Sequence, residues 1–551
     1  MTEASSKESR NTMDRKSATN SPTPAAAQSA EDQQNRLTGN LGTVSLVLSV
    51  LAFSAPIVTV AGYLAFAIGF VGEAAPLAWI ISTIVLMVFS IGYMTMTRHI
   101  PRAGAFYAYI SLGLGRVTGV GSAYLATISY LVNCAGIYGF AGVTIGSLVT
   151  SFGGPALPWW ACGAVVWIIV TTLGHFHIDL SAKVLGTVMV LEVILVGIFN
   201  VVTLAKGGSE GLSLAPLNPA HFINGGTGIA LLFALGNFFG FEATALYRDE
   251  VRKPNRTIPR ATYLAVVLIG LFYALSAYTL IVAFGSKAQA AATDGAGTMF
   301  NDALTRFVGP GVLQITMVLV TTSAVASVLS VHNVSARYLF NLSADHALPK
   351  YLSVVHPRHK SPYRASLTAA IAVAVMLAPF AITSVDPAFV MGAGSGIGTA
   401  GVLILMVLVS LAVFVWFKRT GVPAGESPWK VFVAPIFSLV ILGAVVVFAI
   451  ARFDLLVGGE PGQNLWMLLV LVAFVIAGSS VALYFKRFRP AWYARLGRAT
   501  DAEVEAAVSS ASPHDASLAI ASVAETESEI ENVLEAQDAH EANRRRLGTK
   551  A

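Results

Sequence analysis

The run Leu46-Val-Leu-Ser-Val-Leu-Ala-Phe-Ser-Ala-Pro56-Ile-Val-Thr-Val-Ala-Gly62 is apolar enough to lie in hydrocarbon, yet it carries a proline at its middle. Proline removes a backbone donor and clashes with the carbonyl four residues earlier, so a helix through this run breaks near Pro56. Ser54 and Thr59 flank the break and are suited to satisfying the freed backbone groups. A second run, Leu235-Gly-Asn-Phe-Phe-Gly240-Phe-Glu242-Ala-Thr, is weakened by Gly236, Asn237 and Gly240. Either run alone reads as a simple kink. Together they open the first and sixth of twelve apolar spans, so ten spans divide into two halves of five, each beginning with a broken helix. Interrupted segments at corresponding positions of two halves point to an inverted repeat with a binding site between the breaks.

Two carboxylates support an inward-facing site. Glu192 lies inside the apolar run Val184–Leu204, and Glu242 lies inside Ile229–Leu246, two residues after Gly240. An ionisable group at bilayer depth costs several kcal/mol, so such residues face the interior and mark an ion, proton or substrate pathway. Glu192 sits roughly 13 Å along a helix from Lys183, near the middle of the membrane.

Composition places the whole chain in this class. Of 551 residues, 55% are hydrophobic and 12% charged, against about 25% charged in soluble domains; mean hydropathy is +0.68. About 20 helical residues cross a hydrocarbon core, and twelve spans satisfy that length: about 43–70, 76–97, 118–150, 158–174, 183–205, 226–247, 261–285, 309–343, 364–384, 388–417, 430–451 and 465–485. The expected fold class is an all-α membrane protein. Its expected domains are a disordered polar tail over 1–40, a twelve-helix membrane domain over 41–485 and a second polar tail over 486–551. Within the domain, repeat one covers about 43–205, repeat two about 226–417, and two further helices about 430–485. Residues 1–40 lack the apolar core of a cleavable signal. Both cysteines, Cys134 and Cys162, fall in apolar runs, where a structural disulfide is not expected.

Alternate loops carry 17 Lys and Arg on one side and 4 on the other, and the two tails hold the remaining 14 of 35 on the rich side. The positive-inside rule puts the rich loops and both termini in the cytoplasm, as an even number of spans requires. The net charge of +5 belongs to this topology, and no nucleic-acid partner is expected. Trp79, Trp159, Trp160, Trp416, Trp429 and Trp466 fall at span ends, where interfacial anchors sit.

Broken helices bind ligands for a physical reason. Unwound backbone is tolerated at membrane depth only where it lines a cavity. There it offers amide N–H groups at a positive dipole end to an anion, and carbonyls to an ammonium group or cation.

Four segments resemble a known family, the amino acid permeases of the amino acid–polyamine–organocation superfamily. After the second span comes Arg98-His-Ile-Pro-Arg-Ala-Gly104-Ala-Phe-Tyr-Ala-Tyr109, followed by Gly113-Leu-Gly115. The sixth span contains Phe239-Gly-Phe-Glu242, then Asp249-Glu-Val-Arg-Lys-Pro254-Asn-Arg-Thr-Ile-Pro259-Arg-Ala. After the eighth come Ser335-Ala-Arg337, Asp345-His-Ala-Leu-Pro349 and His356-Pro-Arg-His-Lys-Ser-Pro362. The resemblance covers roughly residues 40–490 and implies the leucine-transporter-type fold, with a 5+5 inverted repeat. Many members place a Gly-Ser-Gly-type sequence at the first break, where this chain has Ser54-Ala-Pro-Ile57.

The resemblance implies that substrate lies between the two breaks. The expected contacts are Ser54, Ala55, Pro56, Ile57, Val58 and Thr59 at the first, with backbone of Ala55 and Ile57–Thr59 for the anionic end, and Phe238, Phe239, Gly240 and Phe241 at the second. Carbonyls of Phe238, Phe239 and Gly240 would take the amine, and Phe239 and Phe241 either gate the ligand or pack between helices. Glu242 is tied to proton coupling in some members; alternatively it caps the second half-helix. Some relatives carry a lysine in the part of span five where Glu192 stands. Here the carboxylate acts as a reversible proton carrier or as a protonated group bonding across helices, with Ser327, Ser330 and His332 as expected polar neighbours. His332 and Asn333 lie mid-span, where a lone histidine reads as a packing residue. The basic run Arg248–Arg260 reads as a loop and headgroup anchor, and Gly392, Gly394, Gly396, Gly398 and Gly401 permit close helix approach.

The expected activity is import of an amino acid or related amine across the plasma membrane, coupled to protons or to sodium, or by exchange, with no enzyme chemistry, cofactor or metal. Two embedded acids favour an amine-bearing ligand, with polyamine, neutral amino acid and 4-aminobutyrate readings all open. A nutrient sensor on the same fold would share every motif. An electron-transfer subunit would need facing histidine pairs, and His332 is the deep histidine. No Gly-x-x-x-x-Gly-Lys phosphate loop is present.

Overall fold

The computed structural model describes residues 40–100, 105–176, 178–295, 297–359, 361–454, 462 and 464–496. The two tails, apart from their inner ends, and residues 101–104 of the Pro-x-x-Gly segment lie outside these. Among the described residues every extended regular element is helical, and eleven helical stretches are long and apolar enough to cross a membrane. The main helices are α1 (Thr43–Ser54), α2 (Leu64–Val71), α3 (Pro76–His99), α4 (Ala105–Leu114), α5 (Arg116–Ser151), α6 (Trp159–Phe176), α7 (Ile178–Ala205) and α8 (Thr227–Gly236). They continue with α9 (Pro254–Phe284), α10 (Leu313–Ala344), α11 (Tyr363–Ile382), α12 (Pro387–Thr420), α13 (Ala434–Ala451) and α14 (Leu469–Phe488).

The sixth expected span differs from the others. Its continuous helix, α8, has only 10 residues. A turn over 237–241 follows, and then a 3₁₀ segment, Glu242–Glu250.

The first interruption is built one residue earlier than a proline kink would place it. Helix α1 ends at Ser54, and Ala55 takes a left-handed conformation at φ 47°. Pro56 then starts the next turn, Pro56–Val58, in a position where its missing N–H would have no intrahelical partner anyway. A wide π-helical turn, Thr59–Tyr63, leads into α2. Such turns recur at functional sites because they open the backbone ladder.

At the second interruption Gly240 has φ 99°, and a Cβ placed there would lie 2.5 Å from Cγ of Phe53. Only glycine accepts both the backbone conformation and the contact. Phe53, just before the first break, therefore rests on the backbone of the second.

Helix α1 packs on α7, α9 and α10, while α5 packs on α10, α12 and α14. The α5–α12 contact depends on small residues: a Cβ on Gly394 would stand 2.5 Å from Cα of Gly136. Trp79 departs from its expected interfacial role, being fully buried at the start of α3. Trp160, Trp429 and Trp466 are exposed at span ends.

One member of the basic run after the sixth span, Arg248, also departs from expectation, while Arg252, Lys253, Arg256 and Arg260 are exposed. Arg248 is buried; it donates to the Thr97 carbonyl at 3.2 Å and to Oδ1 of Asn255 at 2.7 Å, so it joins helices rather than reaching headgroups. Two of the sequence segments carrying the family likeness meet beside it. Arg337 donates through Nε and Nη2 to the Glu250 carboxylate at 2.8 and 3.0 Å, with its guanidinium 4.2 Å from the Tyr247 ring centroid. Both partners of this ion pair are buried. At the same end Leu41 forms an isolated parallel bridge with Val251.

Candidate functional site

Side chains tie the two breaks to each other. The Ser54 hydroxyl donates to the Asn237 carbonyl at 2.9 Å and lies 2.5 Å from the Tyr273 hydroxyl of α9. Tyr273 donates to the Ser54 carbonyl at 2.9 Å. The Thr59 hydroxyl contacts both the Ser54 carbonyl at 3.0 Å and Oδ1 of Asn237 at 3.2 Å. Ser327 of α10 donates to the Phe53 carbonyl at 3.1 Å. Carbonyls freed where α1 stops are thus answered by hydroxyls from three directions, as buried backbone requires.

A cavity of about 680 Å³ ends on this cluster. Its wall includes Ser54, Ala55, Val58 and Thr59 from the first break and Gly236, Asn237 and Phe239 from the second. Of the expected contacts, Pro56, Ile57, Phe238, Gly240 and Phe241 are not part of that wall. Asn133 of α5 and Thr399 of α12 are, and neither was singled out from sequence. They lie in helices without a break, so no local signal marked them. The cavity wall extends to Phe70, Asp386 and Asn464, of which Phe70 and Asp386 are exposed.

Neither buried carboxylate lines the cavity; each stands behind one of the breaks. Glu192 of α7 accepts a hydrogen bond from the Ile57 amide at 3.3 Å and one from the Ser323 hydroxyl of α10 at 2.8 Å. The Ile57 amide of the turn beginning at Pro56 therefore already has a carboxyl as its partner. Ser323 replaces the expected neighbours: Ser327 and Ser330 bond carbonyls of Phe53 and Ser49, and His332 contacts the Ser366 hydroxyl at 2.8 Å. His332 is fully buried and packs where α6 passes α10.

Glu242 turns back on its own break. Its carboxylate accepts from the Gly240 amide at 3.1 Å and from the Tyr130 hydroxyl of α5. Tyr93 of α3 donates to the Glu242 carbonyl at 2.9 Å, and Tyr130 stacks on Tyr338 with centroids 5.2 Å apart. The residue is fully buried. Chemically the arrangement offers a polar pocket end made of hydroxyls and amides, with two buried carboxyls held just outside it.

A family model described as amino acid permease matches residues 41–478. An uncharacterized transporter of Mycobacterium bovis is 28% identical over 278 residues, 50% of this chain and 60% of the relative. The low-affinity putrescine importer PlaP of Escherichia coli K12 is 23% identical over 331 residues, 58% of this chain and 71% of the relative. A further uncharacterized transporter, from Mycobacterium tuberculosis, is 26% identical over 261 residues, 41% of this chain and 52% of the relative. The chain spans about 60% of the length of the first of these relatives.

Proposed function

The chain belongs to the amino acid permease family, a family of multi-pass membrane transporters rather than enzymes, and from that premise we propose that it is a secondary active importer of an amino acid or related amine, driven by protons. The observation that carries this reading is a single one: a cavity ends on two helix breaks, and a buried carboxyl holds an amide of each break from behind. In this reading the interrupted passage over 227–250 is the sixth of twelve spans, the first ten spans form the inverted repeat, and both termini are cytoplasmic by the distribution of Lys and Arg. The open end of the cavity then faces outward.

Glu192 touches α7, the Pro56 turn and α10 at once, so loss or gain of its proton alters a junction of three elements. We assign it the coupling proton, with Glu242 as a second carboxyl acting at the other break. Substrate is held by Ser54, Ala55, Val58, Thr59, Asn237 and Phe239, and transport proceeds by rocking the spans that contain the breaks against the rest. The relative named for putrescine brings a diamine into the set of candidate substrates beside amino acids.

Uptake into proteoliposomes, with imposed pH or sodium gradients and a panel of radiolabelled amino acids and amines, tests the reading. Accumulation driven by an inward proton gradient is the expected result. Accumulation under sodium alone moves the coupling ion, and no accumulation of any compound under either gradient overturns the proposal in favour of a sensor or passive binder.

A further inference from the structure

We infer that the cavity takes an electroneutral amino acid with a large apolar, preferably aromatic, side chain, and that it rejects diamines. The inference rests on the transporter reading above and narrows its substrate.

The argument starts from where charge is missing. Among the described residues lining the cavity, Asp386 is the single acidic or basic side chain. It is exposed at the mouth, and its Oδ1 accepts the Ala388 amide at 2.8 Å. Thr59, at the inner end, precedes Phe70 by eleven residues, roughly 16 Å along a helix. The inner end offers hydroxyls and amides from Ser54, Thr59, Asn133, Asn237 and Ser327. Glu192 and Glu242, which would be the natural partners of an ammonium group, are turned away and engaged with the Ile57 and Gly240 amides. A diamine brings two positive charges, and a buried charge without a paired counter-charge is strongly unfavourable. An α-amino acid brings its own counter-charge, and its two ends need only dipolar partners of the kind present.

The wall above the polar end specifies the side chain. Phe66 and Phe70 both stack on Phe233, with centroids 6.0 and 6.2 Å apart and planes inclined by 13° and 18°. Tyr63 adds a tilted contact at 6.4 Å. These rings come from the outer half of the first span and from α8, so the aromatic column joins the two interrupted passages on the cavity side. Phe66 remains 48% exposed and Phe70 36%, which leaves ring surface free to meet a ligand. Sequence spacing placed Tyr63, Phe66 and Phe70 three and four apart on one helix face, yet only the fold brings Phe233 against them.

Competition of radiolabelled uptake separates the possibilities. Phenylalanine and leucine are expected to be transported and to compete with each other, while putrescine, lysine and 4-aminobutyrate at equal concentration do not compete. Phe233→Ala is expected to raise KM for phenylalanine about fivefold, the size of an aromatic pair contact, and to change that for alanine less than about twofold. Phe233→Leu, which keeps the wall apolar, should spare leucine and still weaken phenylalanine. Transport of putrescine, lysine or 4-aminobutyrate in preference to phenylalanine overturns the inference and leaves the importer intact. Equal loss for phenylalanine and alanine in both variants overturns the role of the aromatic column. Silence of the entire panel with folded, monodisperse protein removes the transporter reading itself.

Discussion

The two helix breaks solve one problem with different means. At the first, the amide of Ile57 is held by a carboxylate that arrives from α7, far away in sequence. At the second, the amide of Gly240 is held by a carboxylate only two residues further along the same chain. The backbone differs as well: an alanine takes the left-handed position at the first break and a glycine at the second. Glu192 therefore joins α7, the Pro56 turn and α10, whereas Glu242 joins its own turn to Tyr130 of α5. In the proposed reading, a proton arriving at Glu192 acts on three elements and one arriving at Glu242 on two.

The largest expected effect tests that contrast directly. Glu192→Gln keeps a polar group of the same size but cannot exchange a proton, so accumulation driven by a pH gradient should fall more than about tenfold, the scale of about 1.4 kcal/mol or more. Substrate counterflow without a gradient should persist. Should Glu192→Gln accumulate normally while Glu242→Gln does not, the comparison is inverted. Next in size is Gly240→Ala. A left-handed alanine costs about 1–2 kcal/mol, and the collision with Phe53 adds about 1–3 kcal/mol of overpacking. Lowered melting of the purified protein and loss of transport are expected, and normal melting would show that the second break relaxes easily.

Glu242→Gln should have a smaller effect, within about fivefold on accumulation, roughly 1 kcal/mol, because the amide oxygen of Gln still accepts from Gly240. The smallest is Ala55→Gly, which relieves a left-handed alanine. A gain of about 1 kcal/mol in stability is expected, read as a modest rise in melting temperature with uptake retained. A fall instead would mean that the stiffness of Ala55 holds the first break in shape.

Much of the architecture was legible in the chain. Pro56 announced the first interruption and Gly236 with Gly240 the second, because those residues act on the backbone locally. The burial of Glu192 and Glu242 followed from their place in apolar runs. What escaped was direction. Both acids were expected to favour an amine-bearing ligand, yet the structure turns them from the cavity. Ser323 was missed for Ser327 because the choice between turns of α10 depends on how α7 and α10 cross. Trp79 looked like an anchor at a span end and lies in the core for the same reason.

By itself, the sequence determined that this is a helical membrane protein with two breaks and two embedded acids, since hydrophobic run length and proline or glycine chemistry operate within a few residues. Only tertiary packing decided which face of each break meets the cavity and which meets a carboxylate. That choice depends on contacts such as Glu192 with Ile57 and Phe53 with Gly240, whose partners stand 135 and 187 positions apart in the chain.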